Sequence, residues 1–178
     1  MKKKIFSIQE LCMIGIVTAL ICVIAPLSVP MPLGVPITLQ TFIITLGAII
    51  LGAKRGAVAT CIYILLGAFG LPIFSNFTGG WQIIVGPTGG FILSFPIMAY
   101  VIGLASNLRT KHKYSLSFGI IIGTAINFVC GVAMFCIVTE SSLLVSFTTC
   151  VLPFIPFAII KAVLAYGIGI QIKRRLHS

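Results

Sequence analysis

The stretch PFIPFAIIKAVLAYGIGIQI, Pro153 to Ile172, has the length and apolarity of a bilayer-crossing helix, for which about 20 mostly apolar residues suffice. One position breaks the pattern: Lys161 sets an ammonium among isoleucine, alanine and valine. The rest of the chain resembles this segment without its lysine. Of 178 residues 59% are hydrophobic and 8% charged, and the mean hydropathy is +1.21, outside the range of soluble domains. These values specify an all-α integral membrane protein in the lipid bilayer, read as a single domain over residues 1–178.

Six apolar segments are expected to span, at Ile8 to Leu27, Leu39 to Ala53, Gly56 to Leu71, Phe91 to Asn107, Leu116 to Val138 and Phe154 to Ile172. The second, third and fourth are short for a crossing, so they are expected to be broken near their ends or met by loops that dip inward. Of the 12 Lys and Arg, all but Lys161 lie in four clusters: Lys2, Lys3 and Lys4; Lys54 and Arg55; Arg109, Lys111 and Lys113; Lys173, Arg174 and Arg175. They occupy alternate connections and both termini. Basic loops stay in the cytoplasm, so both termini are expected there, with an even number of spans. The basic and apolar start, MKKKIFSIQELCMIGIVTAL, lacks a convincing small-residue cleavage site and is expected to be a retained first helix.

The connections on the other side are uncharged by Lys or Arg and rich in Pro and Gly. Ala25 to Thr41 carries Pro26, Pro30, Pro32 and Pro36, which fix φ and predict a stiff cap. Phe69 to Gly90 carries Gly79, Gly80, Gly86, Gly89 and Gly90, the one Trp and Asn76, a composition that lets backbone approach a bound molecule.

Several function classes are disfavoured. The net charge of +10 is not interleaved with the aromatic and polar contacts of a nucleic-acid face. Six scattered Cys without a C-x-x-C pair, with His112 and His177 inside basic clusters, indicate neither a metal site nor a disulfide framework. No cofactor motif is apparent. The nearest approach to an ATP-binding loop, Gly47 to Arg55, has Ala53 at the lysine position. Uphill transport by this chain would need energy from a partner.

Lys161 lies about 12 Å along the helix from Pro153, and a mid-span lysine costs roughly 2.5–3.5 kcal/mol on insertion scales. The chain has two acidic side chains, Glu10 at the opposite end of the bundle and Glu140 after the fifth span. Lys161 is expected to pair with Glu140, to snorkel outward, or to await an anion that enters from outside. One ammonium suits a monocarboxylate better than a phosphate, which recruits Arg forks or a glycine loop. Gln40, Asn76 and Gln82, the hydroxyls of Thr38, Thr78 and Thr88, and the rings of Phe77, Trp81 and Phe91 suit a ligand with an apolar ring body and a few amide-like atoms. Each has a plain alternative, Trp81 as an interfacial anchor and Thr38 or Thr88 as helix caps.

PITLQT at Pro36 to Thr41, RGAVATCIYILLGAFGLPIF at Arg55 to Phe74 and GPTGGFILSFPIMA at Gly86 to Ala99 resemble the BioY family, the biotin-binding membrane subunits of energy-coupling-factor (ECF) vitamin transporters. The resemblance covers most of the chain. It implies a six-helix bundle like that of other ECF S components, in a bacterial plasma membrane and crossing it several times. It also implies high-affinity biotin binding, and uptake with a transmembrane coupling subunit and two ATP-binding-cassette ATPases. PFIPFAIIKA is similar to the family's Pro-Phe-x-Pro-Gly-Asp-x-x-Lys-Ala pattern, by which Lys161 corresponds to the ligand-site lysine. The family's Gly-Asp is Phe157-Ala158 here, which removes an internal partner for Lys161. Some relatives carry Arg where this chain has Pro87, so Lys161 is expected to be the only cation at the site.

The implied ligand set is Lys161 for the carboxylate, Asn76 and Gln40 for hydrogen bonds, Gly79 and Gly80 for close approach, Trp81, Phe77 and Phe91 over the ring, and Thr88 beside them. Gly15 and Ala19, four apart on the first helix, match a small-x-x-x-small face that meets the coupling subunit. Gly119 and Gly123 share the spacing. Two alternatives remain: an S component for another apolar monocarboxylate such as lipoate, motivated by Ala158, and, more remotely, an intramembrane hydrolase in which Lys161 activates Ser141 or Ser142.

Overall fold

The computed structural model describes residues 6–31, 35–109 and 114–176. Lys2, Lys3, Lys4, Pro32, Lys111, His112, Lys113 and His177 lie outside them. The first helix, α1 (Ile8–Ile24), starts where Ser7 and Glu10 cap each other: Glu10 N–H donates to Ser7 Oγ at 3.2 Å and Ser7 N–H donates to Glu10 Oε2 at 2.8 Å. It stops three residues before the expected Leu27, because Pro26 cannot continue it. A two-stranded antiparallel ribbon, β1 (Ser28–Val29) and β2 (Ile37–Thr38), then pairs Ser28 with Thr38 and Val29 with Ile37. The Pro-rich cap thus folds onto the bundle and delivers the chain into α2 (Gln40–Leu51) below the rim.

Gly52 alone separates α2 from α3 (Ala53–Ala68). Its φ of +79° with ψ near 180° is open to glycine and strained for any side chain, and an added Cβ would meet Asn107 Oδ1 at 2.8 Å. The chain turns within one residue, so Lys54 and Arg55 lie in the first turn of α3 and not in the expected loop before Gly56. Arg55 donates to Glu10 Oε1 at 3.4 Å, the ion pair seen among the described residues.

After a 3-10 turn at Ser75–Phe77 and the one-turn α4 (Trp81–Ile84), the long helices α5 (Gly89–Leu108) and α6 (Ser115–Thr139) form the most extensive pairing in the fold. Small residues let them approach. Cβ atoms built on Gly119 and Gly123 would press into Ala105 and Ile102 of α5, and one on Gly90 into the Cys130 carbonyl of α6. The segment between the fifth and sixth expected spans holds a further helix, α7 (Leu143–Cys150), capped by Ser142. A 3-10 turn at Leu152–Phe154 leads into α8 (Ile155–Leu176), which packs chiefly on α2.

The main core joins α1, α2, α3, α5 and α6 around Ile21, Ile44, Tyr63, Phe95 and Ile102. Outward faces are apolar too: Ile121, Val129 and Ile137 of α6 and Ile159, Ile160 and Val163 of α8 are exposed. Helices apolar on every side belong in lipid. Gly89–Leu108, Ser115–Thr139 and the run Leu143–Leu176, which holds α7 and α8, are each long and apolar enough to cross a membrane, while Ile8–Ile24 and Gln40–Leu51 are apolar and shorter. The molecule is a helical membrane protein.

Candidate functional site

Between α2, α5, α6 and α8, just inside the rim formed by the β ribbon and α7, lies a partly open cavity. Its floor and walls are mostly apolar, with Phe91 and Phe95 from α5, Phe128 from α6, Cys150 from α7 and Phe154 from the turn before α8. A second apolar cluster of Val35, Val132, Phe135, Cys150, Val151 and Phe154 supports that wall. The polar groups are few and come from separate elements: Thr38, Gln40 and Thr41, Ser75, Thr88, Thr124, Asn127 and Lys161.

Lys161 does not reach Glu140 or bend outward. Its Nζ donates to the Thr38 carbonyl at 3.1 Å and to Thr41 Oγ1 at 2.8 Å. Glu140 sits exposed at the left-handed C-cap of α6. An ammonium has three N–H donors, so one remains after these two bonds. Both acceptors are neutral, and the charge is held in position without being cancelled. Ala158, one helical turn before Lys161, lines the same cavity. A methyl therefore occupies the wall position where the resemblance leads to an Asp being expected.

The α2 N-terminus adds to the electrostatics. The helix opens at Leu39–Gln40 with no side-chain cap, so its first N–H groups and positive dipole end lie beside Gln40 and Thr41 of the cavity wall. Gln40 is buried, 6% exposed. Its Nε2 donates to the Tyr63 hydroxyl at 2.7 Å, and that hydroxyl donates to the Ile73 carbonyl at 3.2 Å. This chain fixes the amide and ties α2 to α3 and to the loop above it.

On the opposite wall Asn127, 2% exposed, donates from Nδ2 to the Phe91 carbonyl at 2.9 Å and to Ser94 Oγ at 2.7 Å, while Ser94 Oγ donates to the same carbonyl at 2.9 Å. The network pins α5 to α6 one turn before Pro96, where the helix lacks a backbone donor.

Of the expected ligand residues, the cavity gathers Lys161, Gln40, Thr88 and Phe91. The loop group lies elsewhere. Asn76 accepts at Oδ1 from Ser28 Oγ at 2.8 Å, and its backbone N–H bonds to the same hydroxyl and to the Pro26 carbonyl at 3.1 Å. Phe77 and Trp81 are 65% and 64% exposed. A Cβ on Gly79 would collide with the Leu71 carbonyl, and Gly80 N–H donates to the Gly67 carbonyl at 2.7 Å. The two glycines are used to seat the loop on the end of α3. Ser75 of the same loop does line the cavity.

Asn127, Thr124, Thr41, Phe95, Phe128 and Phe154 line the cavity without standing among the residues expected from the sequence. Asn127 carried a signal, being a lone amide inside an apolar span. Ser142 Oγ accepts from Val145 N–H at 3.4 Å as the α7 cap, and Ser141 bonds to Thr139 at 2.9 Å. With Lys161 bonded to Thr38 and Thr41, no Ser-Lys pair forms with either serine.

The BioY family model matches residues 1–178. A biotin transporter BioY of Thermotoga maritima is 40% identical over 169 residues, covering 93% of this chain and 96% of that protein. Biotin transporter BioY2 of Lactococcus lactis subsp. cremoris is 34% identical over 171 residues, 96% and 93% of the two chains. The crystal structure of the S-component for biotin from an ECF-type ABC transporter matches with a TM-score of 0.83 at 26% identity, over 96% of this chain and 92% of that one.

Proposed function

The chain belongs to the BioY family, and from that premise we propose that it binds biotin as the substrate-specific S component of an ECF-type transporter. It is a transporter subunit and not an enzyme. The observation that carries the assignment is Lys161: a fixed ammonium in the wall of a mainly apolar cavity whose lining contains no acidic side chain. Biotin supplies what that wall lacks. Its carboxylate meets the remaining Lys161 N–H and the uncapped start of α2, and its fused rings lie among Phe91, Phe95, Phe128 and Phe154. Gln40, Thr88 and Asn127 face the polar edge of the ligand. Asn76, Gly79, Gly80, Trp81 and Phe77 act one step away, by holding the loop that carries Ser75.

The whole chain works as one substrate-binding unit of six spans, with α1, α2, α3, α5, α6 and α8 crossing a bacterial plasma membrane and α7 lying at the outer rim. Basic clusters mark the cytoplasmic side, and the Lys161 cavity opens outward. A transmembrane coupling subunit meets Gly15 and Ala19 of α1, and two ABC ATPases supply the energy.

The test is the mass of the small molecule retained by detergent-extracted protein, followed by binding of labelled biotin. Recovery of biotin at one per chain is expected. Ala158 motivates a second ligand, lipoate, in place of biotin. Excess lipoate displacing labelled biotin, while biotin fails to displace labelled lipoate, would move the assignment to it.

A further inference from the structure

A second, open cavity lies at the other end of the bundle and is walled by Ile49 of α2, Ser106 and Arg109 of α5, Leu116 of α6, and Ile170, Lys173 and Arg174 of α8. Lys173 is about 18 Å along α8 from Lys161, so the two cavities are separate. Its lining is amphiphilic. Ile49, Leu116 and Ile170 are buried apolar side chains, and three cations rise beside them.

Two of the cations, Arg109 and Lys173, are held in place. The Arg109 guanidinium stands 5.5 Å from the centre of the Tyr166 ring, an arrangement that holds a guanidinium in place. Lys173 Nζ donates to Ser106 Oγ at 2.7 Å and to Asn107 Oδ1 at 3.3 Å, and Ser106 Oγ donates onward to the Ile49 carbonyl at 2.9 Å. The C-terminal ends of α5 and α8 also lie here and supply partial negative charge of roughly half a unit each. Two arginines alone exceed that sum. No acidic side chain lines the cavity: Glu10 is bonded to Arg55, and Glu140 follows the far end of α6.

We infer that this cavity binds the phosphate-bearing headgroup of an anionic phospholipid. Arg forks match phosphate oxygens, and basic pockets between membrane helices on the cytoplasmic side take anionic headgroups. The apolar face of the same end of α8 decides between a lipid and a free ion: Ile168, Ile172 and Leu176 are exposed there, a surface that acyl chains cover and inorganic phosphate leaves bare. The placement on the cytoplasmic side rests on the topology proposed above; the binding chemistry does not, nor does it depend on which vitamin occupies the other cavity.

Native mass spectrometry of the full chain in detergent, with added phosphatidylglycerol or phosphatidylcholine, tests the site. Phosphatidylglycerol is expected to remain bound at collision energies that strip phosphatidylcholine. Arg109→Gln and Arg174→Gln should each lower its retention about tenfold, the loss of one charge-assisted contact. Lys54→Gln, an exposed cation outside the cavity, should leave retention unchanged. Arg174 is exposed at the end of α8, so its variant tests the site even if Arg109→Gln fails to fold. Unchanged retention in Arg174→Gln, or an equal fall in Lys54→Gln, would overturn the site. Displacement of the lipid by inorganic phosphate at equal concentration would overturn the lipid as its occupant. Labelled-biotin binding by the same samples should be unaltered, and its failure would bear on the vitamin assignment alone.

Discussion

At the scale of single residues, the consequence of Lys161 is a charge whose cancellation is deferred. Thr38 and Thr41 hold the ammonium by hydrogen bonds without neutralising it, so a ligand anion contributes more than contact area. A charge-assisted bond is worth about 1.5–3 kcal/mol, or roughly 10- to 150-fold in Kd. Lys161→Ala is therefore expected to weaken biotin by about that factor and biotinamide far less, measured by equilibrium binding in detergent. Equal losses for acid and amide would remove Lys161 from the carboxylate. Ala158→Asp is the complementary experiment. It places an acid one turn from Lys161 in the same wall, gives the cation an internal partner, and should shrink the preference for biotin over biotinamide. Lys161 was legible in the sequence because a lone cation in an apolar span is costly. Asn127 carries the same kind of signal, a lone amide in an apolar span, but the Gly-rich loop offers more polar and aromatic residues and so outweighs it in sequence.

At the scale of elements, the six apolar segments were legible from composition, and each contains a helix. Their ends were less so. Pro26 and Gly52 set two of them through backbone geometry, and the capped α7 sits where a connection was expected. The glycines of the external loop illustrate the limit. Their number implied close approach to something, and sequence alone does not distinguish a ligand from the chain's own backbone, which is what Gly79 and Gly80 meet. Gly131 makes the dependence of the site on helix packing testable. A Cβ there would strike the ring of Phe91, which lines the cavity. Gly131→Ala is expected to cost about 1–3 kcal/mol through overpacking and to weaken biotin binding by displacing that ring, read as a lower unfolding temperature together with a raised Kd. Full affinity in a folded variant would show that Phe91 does not set the ligand's position.

The two small-residue pairs also separate at this scale. Gly119 and Gly123 are buried against α5, whereas Gly15 and Ala19 are exposed and a Cβ on Gly15 would meet nothing within 4 Å. Substitution on α1 should not disturb the fold. Gly15→Leu and Ala19→Leu are expected to preserve biotin binding and reduce uptake by cells that contain the coupling module. Unchanged uptake in both would take the coupling contact off this face.

For the molecule as a whole, α8 joins two chemically opposite ends. Lys161 stands at the end capped by the β ribbon, α7 and the loops without Lys or Arg; Lys173 and Arg174 stand at the other, beside Arg109 and on the side of Lys54 and Arg55. A bundle whose described basic clusters lie at one end has one favourable orientation in a cell, because basic segments resist translocation. The proposed six-span topology then fixes the side of each connection. In a background with the six native Cys replaced, a membrane-impermeant maleimide added to intact cells should label Pro72→Cys and Ser142→Cys. Lys54→Cys and Arg174→Cys should react only after permeabilisation. Ser142 caps α7, and losing the cap costs about 1 kcal/mol, too little to unfold the bundle. Labelling of Lys54→Cys from outside would invert the topology and turn the Lys161 cavity toward the cytoplasm, where it would be unable to collect a vitamin from the medium.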